Sequence, residues 1–368
     1  MKILILTSEF PPDPGGIGSH AFSLSSALSR QNCQVSVITD GDASDIKIAA
    51  FDSQLSFEVI RIKRRFPFFY FVRVLSAWRT AIKFKPEAVL VSGRFSLWTG
   101  ACLKLFLPLR VIGILHGSEI QPRNSFIRWL NHWAINHLNA LIPVSIFTSS
   151  LIPERITIRK PYKVIPNAIQ VSEFDGLEKV DVKVLQGNPV FVTVGNVTYR
   201  KGQHRMIQAL PVIRKTFPDA HYYCIGIPTK QAEFEYLSIG LNVADHITFL
   251  GKIASRKSMF ATVSSAHIFI MLSENQTDGN VEGYGIAILE ANALGIPAIG
   301  AYGSGVEDAI KHGYNGLLVD GNNAVEITQA IATILGDWQN FSQRAKQWAR
   351  QHDWDVVVKE YLEVIDSL

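Results

Sequence analysis

Val190-Phe191-Val192-Thr193-Val194-Gly195-Asn196-Val197-Thr198-Tyr199-Arg200-Lys201-Gly202, near the middle of the chain, reads as a strand, a loop and the start of a helix. A short apolar, β-branched run closed by glycine is the pattern of a strand buried on both faces. The chain opens in the same way. Ile3–Thr7 is a strand pattern followed by the glycine-rich Phe10-Pro11-Pro12-Asp13-Pro14-Gly15-Gly16-Ile17-Gly18-Ser19-His20. An α/β rhythm that begins, fades and restarts predicts two doubly wound units, each with a parallel sheet covered by helices.

Working outward, the first half has further strand patterns at Val35–Thr39, Val59–Ile62, Ala88–Val91, Val111–Leu115, Ala140–Val144 and Val164–Ile165. Helical stretches at His20–Arg30, Phe69–Lys83, Ser96–Leu107 and Phe126–Leu138 separate them. A polar, weakly patterned stretch near Val171–Pro189 marks the linker. Beyond it, strands are expected at Val190–Val194, His221–Ile225, Ile247–Phe249, His267–Met271, Pro297–Gly300 and Gly316–Val319. Their helices are expected at Gly202–Phe217, Glu233–Gly240, Ser255–Val263, Ile286–Leu294 and Ala324–Leu335, and two more close the chain at Trp338–Arg350 and Asp355–Leu368. In open parallel sheets ligands bind beyond the carboxyl ends of the strands, so chemistry is expected just after them.

Composition agrees with a globular protein: 368 residues, 47% hydrophobic and 18% charged, leave room for two ordinary domains. The N-terminus is too short for a signal peptide, and the apolar runs fall short of a membrane span. Cys33, Cys102 and Cys224 are widely spaced, with no metal-type pair, which suits a reducing cytoplasm. The net charge of +4 conceals a division, because residues 1–170 hold 20 Lys+Arg against 10 Asp+Glu. The excess peaks between Arg61 and Lys85, where basic residues alternate with aromatics and no acid intervenes. That composition suits an anionic membrane surface, or else a solvated helix face. No RNA-binding signature accompanies it, so nucleic acid is not expected as a partner.

Four places carry chemistry-bearing residues. The loop at Gly15-Gly16 lets backbone approach a ligand at a helix N-terminus, or makes a tight turn. His116, in Leu115-His116-Gly117, ends a strand and either faces a ligand or bonds to backbone. Arg200 and Lys201 place two cations beside a helix start, a setting for a diphosphate or a solvated pair. Finally, Glu282-Gly283-Tyr284-Gly285-Ile286-Ala287-Ile288-Leu289-Glu290 brings one carboxylate just before a helix and a second inside it. Free amides at Gly283, Tyr284, Gly285 and Ile286 can cap phosphate or hydroxyl groups. The plainer alternative makes Glu282 a helix-start acid and Glu290 a surface charge, though the apolar neighbours of Glu290 leave it few exposed positions.

In this order and spacing the motifs resemble those of the family 4 retaining glycosyltransferases. The resemblance runs from the Pro14-Gly15-Gly16-Ile17-Gly18 loop through His116-Gly117, Val164-Ile165-Pro166-Asn167, Gly195…Lys201-Gly202 and Glu282…Glu290 to Ala293-Leu294-Gly295-Ile296-Pro297. Asn280-Val281-Glu282-Gly283-Tyr284-Gly285 looks most like the phosphatidylinositol-mannoside-type mannosyltransferases. The resemblance implies the GT-B fold: two Rossmann-like doubly wound domains facing an interdomain cleft. Residues 1–170 would form the acceptor domain, 171–350 the nucleotide-sugar domain, and 351–368 a helix crossing back to the first.

The same resemblance implies a retaining transfer of a hexosyl group from GDP-mannose or a UDP-sugar to a glycan or lipid-linked hydroxyl. With cations supplying the electrostatics no metal is expected, and the basic-aromatic stretch would dock a cytoplasmic enzyme on the inner face of the membrane. It requires no cofactor, the nucleotide-diphospho-sugar being a co-substrate. Glu282 would bind sugar hydroxyls, Glu290 the ribose, and Lys201 with Arg200 the diphosphate. Gly16, Gly195, Asn196 and Gly283–Ile286 would line the donor, and His116 would contact the transferred sugar. Asn196 stands where the family has arginine, and Asn167-Ala168-Ile169-Gln170 where it has Asn-Gly-Ile-Asp. A nucleotide-sugar epimerase, an NAD-dependent oxidoreductase using Asp40, and a non-catalytic binding module are the competing readings. The last two leave the paired glutamates or the intact donor residues unexplained.

Overall fold

The computed structural model describes residues 1–13, 15–63, 69–177, 180, 184–276 and 281–368. Two compact units emerge, one of Met1–Asn167 with Trp354–Leu368 and the other of Ala168–Asp353. Each contains one six-stranded sheet.

In the first unit the strands are β1 (Lys2–Thr7), β2 (Gln34–Asp40), β3 (Glu58–Ile62), β4 (Ala88–Ser92), β5 (Val111–Leu115) and β6 (Ala140–Pro143), ordered β3-β2-β1-β4-β5-β6. Every pairing is parallel, with Ile5 opposite Val37 on one side and Leu90 on the other. The second unit holds β7 (Val190–Val194), β8 (His221–Ile225), β9 (Ile247–Gly251), β10 (Ile268–Met271), β11 (Ala298–Ala301) and β12 (Gly316–Val319), ordered β12-β11-β10-β7-β8-β9. It too is wholly parallel. Central strands such as β4 and β5 are buried at every position, which is why they lack the alternation of a half-exposed strand. In each unit the chain winds outward in one direction and then reverses, after β3 in the first, to place β4 beside β1, and after β9 in the second, to place β10 beside β7. The reversals put crevices beyond the carboxyl ends of β1/β4 and of β7/β10, where an open sheet binds ligands.

The C-terminal helix Trp354–Asp366 packs on the helix Gly16–Arg30. Tyr361 meets the His20 Nε2 at 3.1 Å, and Arg30 pairs with Asp355 at 2.8 Å. The preceding helix, Trp338–Gln351, belongs to the second unit.

One expected strand needs correction, and some short helices were not foreseen. Val164–Ile165 is not a strand. Lys163 and Ile165 donate to Leu141 and Pro143, so the segment hangs on the edge of β6 by isolated bonds. Short helices at Ile46–Asp52, Ile146–Ser150, Glu154–Thr157 and Val306–Ala309 were not legible in the pattern, because segments this short need tertiary packing to form.

The basic stretch 61–85 is also less available than its composition implies. Arg61 is buried against Asp52, Arg73 is buried against Asp40, and Lys63 pairs with Asp42. Arg64, Arg65, Phe66 and Phe68 lie outside the described residues. Arg79, Lys83 and Lys85 remain exposed.

Candidate functional site

At the end of β7 the chain turns through Gly195 and a tight 3-10 turn, Tyr199–Lys201, before the helix Gln203–Thr216 begins. Arg200 and Lys201 therefore sit in the turn before the helix rather than in its first turn. Gly195 allows this, since a Cβ there would come within 3.0 Å of the Lys201 side chain. Gly202 closes the turn at φ 76°, and a Cβ on it would fall 1.9 Å from the Leu272 carbonyl oxygen. No L side chain fits that space.

The loop after β10 closes onto this turn. The Glu274 amide donates to the Arg200 carbonyl at 3.0 Å, and Arg205 donates to the Leu272 and Ser273 carbonyls. Thr277–Asn280, including part of the motif quoted above, lie outside the described residues. The chain then presents Glu282, 8% exposed, immediately before the helix Ile286–Ala293, whose cap Gly285 has φ 88°.

Both cations converge on that carboxylate. Lys201 Nζ lies 2.7 Å from Glu282 Oε2, Arg200 donates to the same oxygen, and the Gly285 amide is a further donor. Burial pushes the Glu282 carboxyl up, but Lys201, Arg200 and the amide outweigh it and hold the group below the usual carboxylate range. The two cations at this helix start are thus balanced by a carboxylate from a loop 82 residues away.

Glu290, flanked by apolar neighbours in its helix, is 13% exposed at its side chain and pairs with Arg256 at 3.0 Å. Arg256 also bridges to Glu173 at 3.1 Å. Burial raises the Glu290 carboxyl, and Arg256 offsets only part of that rise. Lys201 contributes a weaker attraction to Glu290, so one ammonium acts on both glutamates.

The remaining expected residues of this unit divide by what they expose. Asn196 is at the surface, and its carbonyl accepts from Gln203 Nε2 at 3.1 Å. Tyr284 turns its ring inward, 1% exposed, and its hydroxyl is buried without a hydrogen-bond partner among the described residues. The buried ring leaves the backbone of Tyr284 as the part that can meet a ligand, the role expected of its amide. Gly283 and Glu282 are gripped from the loop after β11. The Gly305 amide donates to the Glu282 carbonyl at 2.9 Å, and a Cβ at Gly305 would lie 2.2 Å from the Gly283 oxygen. Ile286 is the first helical residue, and its amide faces out of the helix start.

In the first unit Gly16 begins the helix Gly16–Arg30 after β1, and His116 follows β5. His116 Nε2 lies 2.9 Å from Ser92 Oγ, and its amide donates to Glu119 at 2.5 Å. The His20 ring stands edge-on at 4.9 Å from that of His116. Burial pulls the His116 imidazole down to about 4, so it is neutral at pH 7. His20 is also held well below its ordinary value, by burial first and then by His116.

Comparison with known proteins decides what carries this arrangement. Residues 14–173 match the family described as Glycosyltransferase Family 4, and residues 178–352 match Glycosyl transferases group 1. The chain belongs to this glycosyltransferase family. Its relatives include the GDP-mannose-dependent α-(1-6)-phosphatidylinositol monomannoside mannosyltransferase of Mycobacterium tuberculosis, 25% identical, with 97% of this chain and 96% of the relative covered. A monoacylated-substrate counterpart from Corynebacterium glutamicum is 24% identical over 91% of this chain and 89% of its own. Among solved structures, HepE of Anabaena in complex with UDP superposes with a TM-score of 0.77 at 19% identity, covering 100% of both chains. The sucrose-phosphate synthase of Thermosynechococcus elongatus reaches 0.78 at 18% identity, covering 100% of this chain and 99% of its own. Both likenesses establish the GT-B architecture of two parallel six-stranded units.

Reasoning from motifs missed several residues of the glycosyltransferase. Arg256 and Glu173 come from a helix start and a 3-10 turn that carry no motif. Glu274 joins the loops through its amide and through its carboxylate, which meets His204 and Arg205, and Gly305 does so through its backbone. Only Gly305 left a trace, as one of many glycines after strands.

Proposed function

We propose that the protein transfers a hexosyl group, with retention of anomeric configuration, from a nucleotide-diphospho-sugar to a hydroxyl of a glycan or lipid-linked acceptor. GDP-mannose is the donor we assign, because both relatives described above are named as dependent on it. The observation that carries the reading is the convergence of Lys201 and Arg200 on Glu282 at the start of the helix Ile286–Ala293.

The chemistry needs those charges. As the anomeric C–O bond breaks, positive charge develops on the sugar and negative charge on the departing diphosphate. Lys201, Arg200 and the free amides at the helix start stabilise the leaving group where its charge appears. Diphosphate also competes with Glu282 for the two cations, which turns the carboxylate toward sugar hydroxyls. Glu290 takes the ribose hydroxyls. Neutral His116 offers a hydrogen bond to the sugar without adding charge beside the developing cation. These cations supply the electrostatics, so the reaction requires no metal. A cytoplasmic, membrane-peripheral location goes with a lipid-linked acceptor.

Donor hydrolysis measured across GDP- and UDP-sugars tests the assignment. GDP-mannose should be consumed fastest, and Lys201→Ala should lower kcat by about 10²–10³. Exclusive turnover of a UDP-sugar would overturn the donor, and undiminished hydrolysis by both Lys201→Ala and Glu282→Ala would overturn the site.

A further inference from the structure

The first unit carries a cationic notch that the reaction above does not use. The helix Ser125–His137 exposes Phe126 at 66% and Trp129 at 59%, with their rings stacked at 6.0 Å. Behind Trp129 lies a notch of about 330 Å³, whose walls include His132, Trp133, Arg155 and Arg159. Neither arginine has a carboxylate within ion-pair distance among the described residues. Arg155 instead reaches His132 Nδ1 at 3.4 Å. His132 Nε2 faces the Ile120 carbonyl at 3.0 Å, so Nε2 carries the proton and Nδ1 offers its lone pair. A cation such as Arg155 that settles for a neutral nitrogen is short of an anion.

The surroundings say which anion. Between Ile120 and Ser172 the chain holds Arg123, Arg128, Arg155, Arg159, Lys160 and Lys163 against one acid, Glu154. A soluble phosphate would satisfy the arginines but leave the exposed stacked pair Phe126–Trp129 unexplained. A second copy of this chain would set a basic face against a basic unit. An anionic bilayer answers both features, with phosphates for the arginines and an interfacial zone for the aromatic rings.

The notch is also tied to the end of the sheet that bears His116. Asn131, on the same helix, donates to the Glu119 carbonyl at 2.5 Å, and Glu119 in turn accepts from the His116 amide. Resting on the reading of a lipid-linked acceptor, we propose that this face docks the first unit on an anionic membrane. A lipid phosphate sits between Arg155 and Arg159, and Phe126 and Trp129 lie in the headgroup region. Docking here, rather than through 61–85, brings membrane-borne hydroxyls to the carboxyl edge of the sheet.

Sedimentation of the full chain with phosphatidylcholine vesicles, with and without phosphatidylglycerol, tests this. Wild type should sediment only with the anionic vesicles, and free glycerol phosphate should not release it. Arg155→Glu/Arg159→Glu should lower partitioning by at least about tenfold, since each basic contact contributes about 1 kcal/mol. Trp129→Ser should weaken it while leaving the far-UV spectrum unchanged. Donor hydrolysis without an acceptor should stay at the wild-type level in both variants. Wild-type partitioning by the double variant, or its loss in Arg79→Glu/Lys83→Glu instead, would overturn the assignment. So would release of wild type by glycerol phosphate, or a wild-type dimer that Trp129→Ser dissociates. Absence of any donor hydrolysis in wild type would sink the proposed function while the vesicle result still stood.

Discussion

Replacing Glu282 by Gln removes the charge that balances Lys201 and Arg200 while keeping the side chain's shape. The three side chains are 11%, 13% and 23% exposed, closer to a buried cluster than to a surface one. Breaking a buried pair costs about 3–5 kcal/mol and an exposed one about 0–1, so a loss of about 2 kcal/mol is expected. For a unit of this size that corresponds to a fall of about 4–8 °C in Tm. The pH dependence has a definite sign. Glu282 is held below its ordinary value of 4.5. Its stabilisation is therefore present above pH 4.5 and lost as pH falls through the lowered value, so wild type and variant should converge in acid. Nucleotide adds a second discriminator. In wild type a diphosphate must displace Glu282 from the cations, whereas in Glu282→Gln it finds them unbalanced. Calorimetric scans with and without GDP, which lacks the sugar and so isolates this competition, should show a larger nucleotide-induced rise in the variant. An unchanged Tm together with equal GDP shifts would refute the reasoning.

Four further outcomes follow from the geometry. Gly16→Ala should fold normally, because a Cβ at Gly16 meets nothing within 4 Å, yet turnover should fall if a ligand approaches that backbone; circular dichroism and donor hydrolysis separate the two effects. Glu290→Gln should leave stability at pH 7 within about 1 kcal/mol, since burial already disfavours its ionised form, while isothermal calorimetry should register weaker nucleotide binding. Arg73→Met should destabilise the first unit by about 3–5 kcal/mol, because it strips the guanidinium from buried Asp40, and GDP binding should be unaffected. His116 is lowered from 6.5 to about 4, so its contribution is whole above pH 6.5 and is lost as pH falls toward 4. Thermal scans at pH 7 and pH 5 should show a smaller acid loss in His116→Asn than in wild type, by on the order of 1–2 kcal/mol for a half-buried ring.

Much of the architecture was legible because it is locally encoded. Val111–Leu115, Val190–Val194, His221–Ile225 and Gly316–Val319 occupy the residues their apolar runs predicted, since a strand buried on both faces must be apolar throughout. Glycines after strands likewise marked Gly195, Gly202 and Gly285, where close approach or positive φ admits nothing larger. What the pattern does not encode is which distant charge a side chain meets. Arg73 and Arg61 read as members of a basic surface until strand order brought Asp40 to one and a neighbouring helix brought Asp52 to the other. Arg200 and Lys201 read as cations awaiting an anion, but placing β10 beside β7 supplied Glu282. Periodicity records whether a residue faces a core, since burial repeats with the local backbone. The identity of its partner depends on the order in which strands assemble, and only the folded sheet decides that.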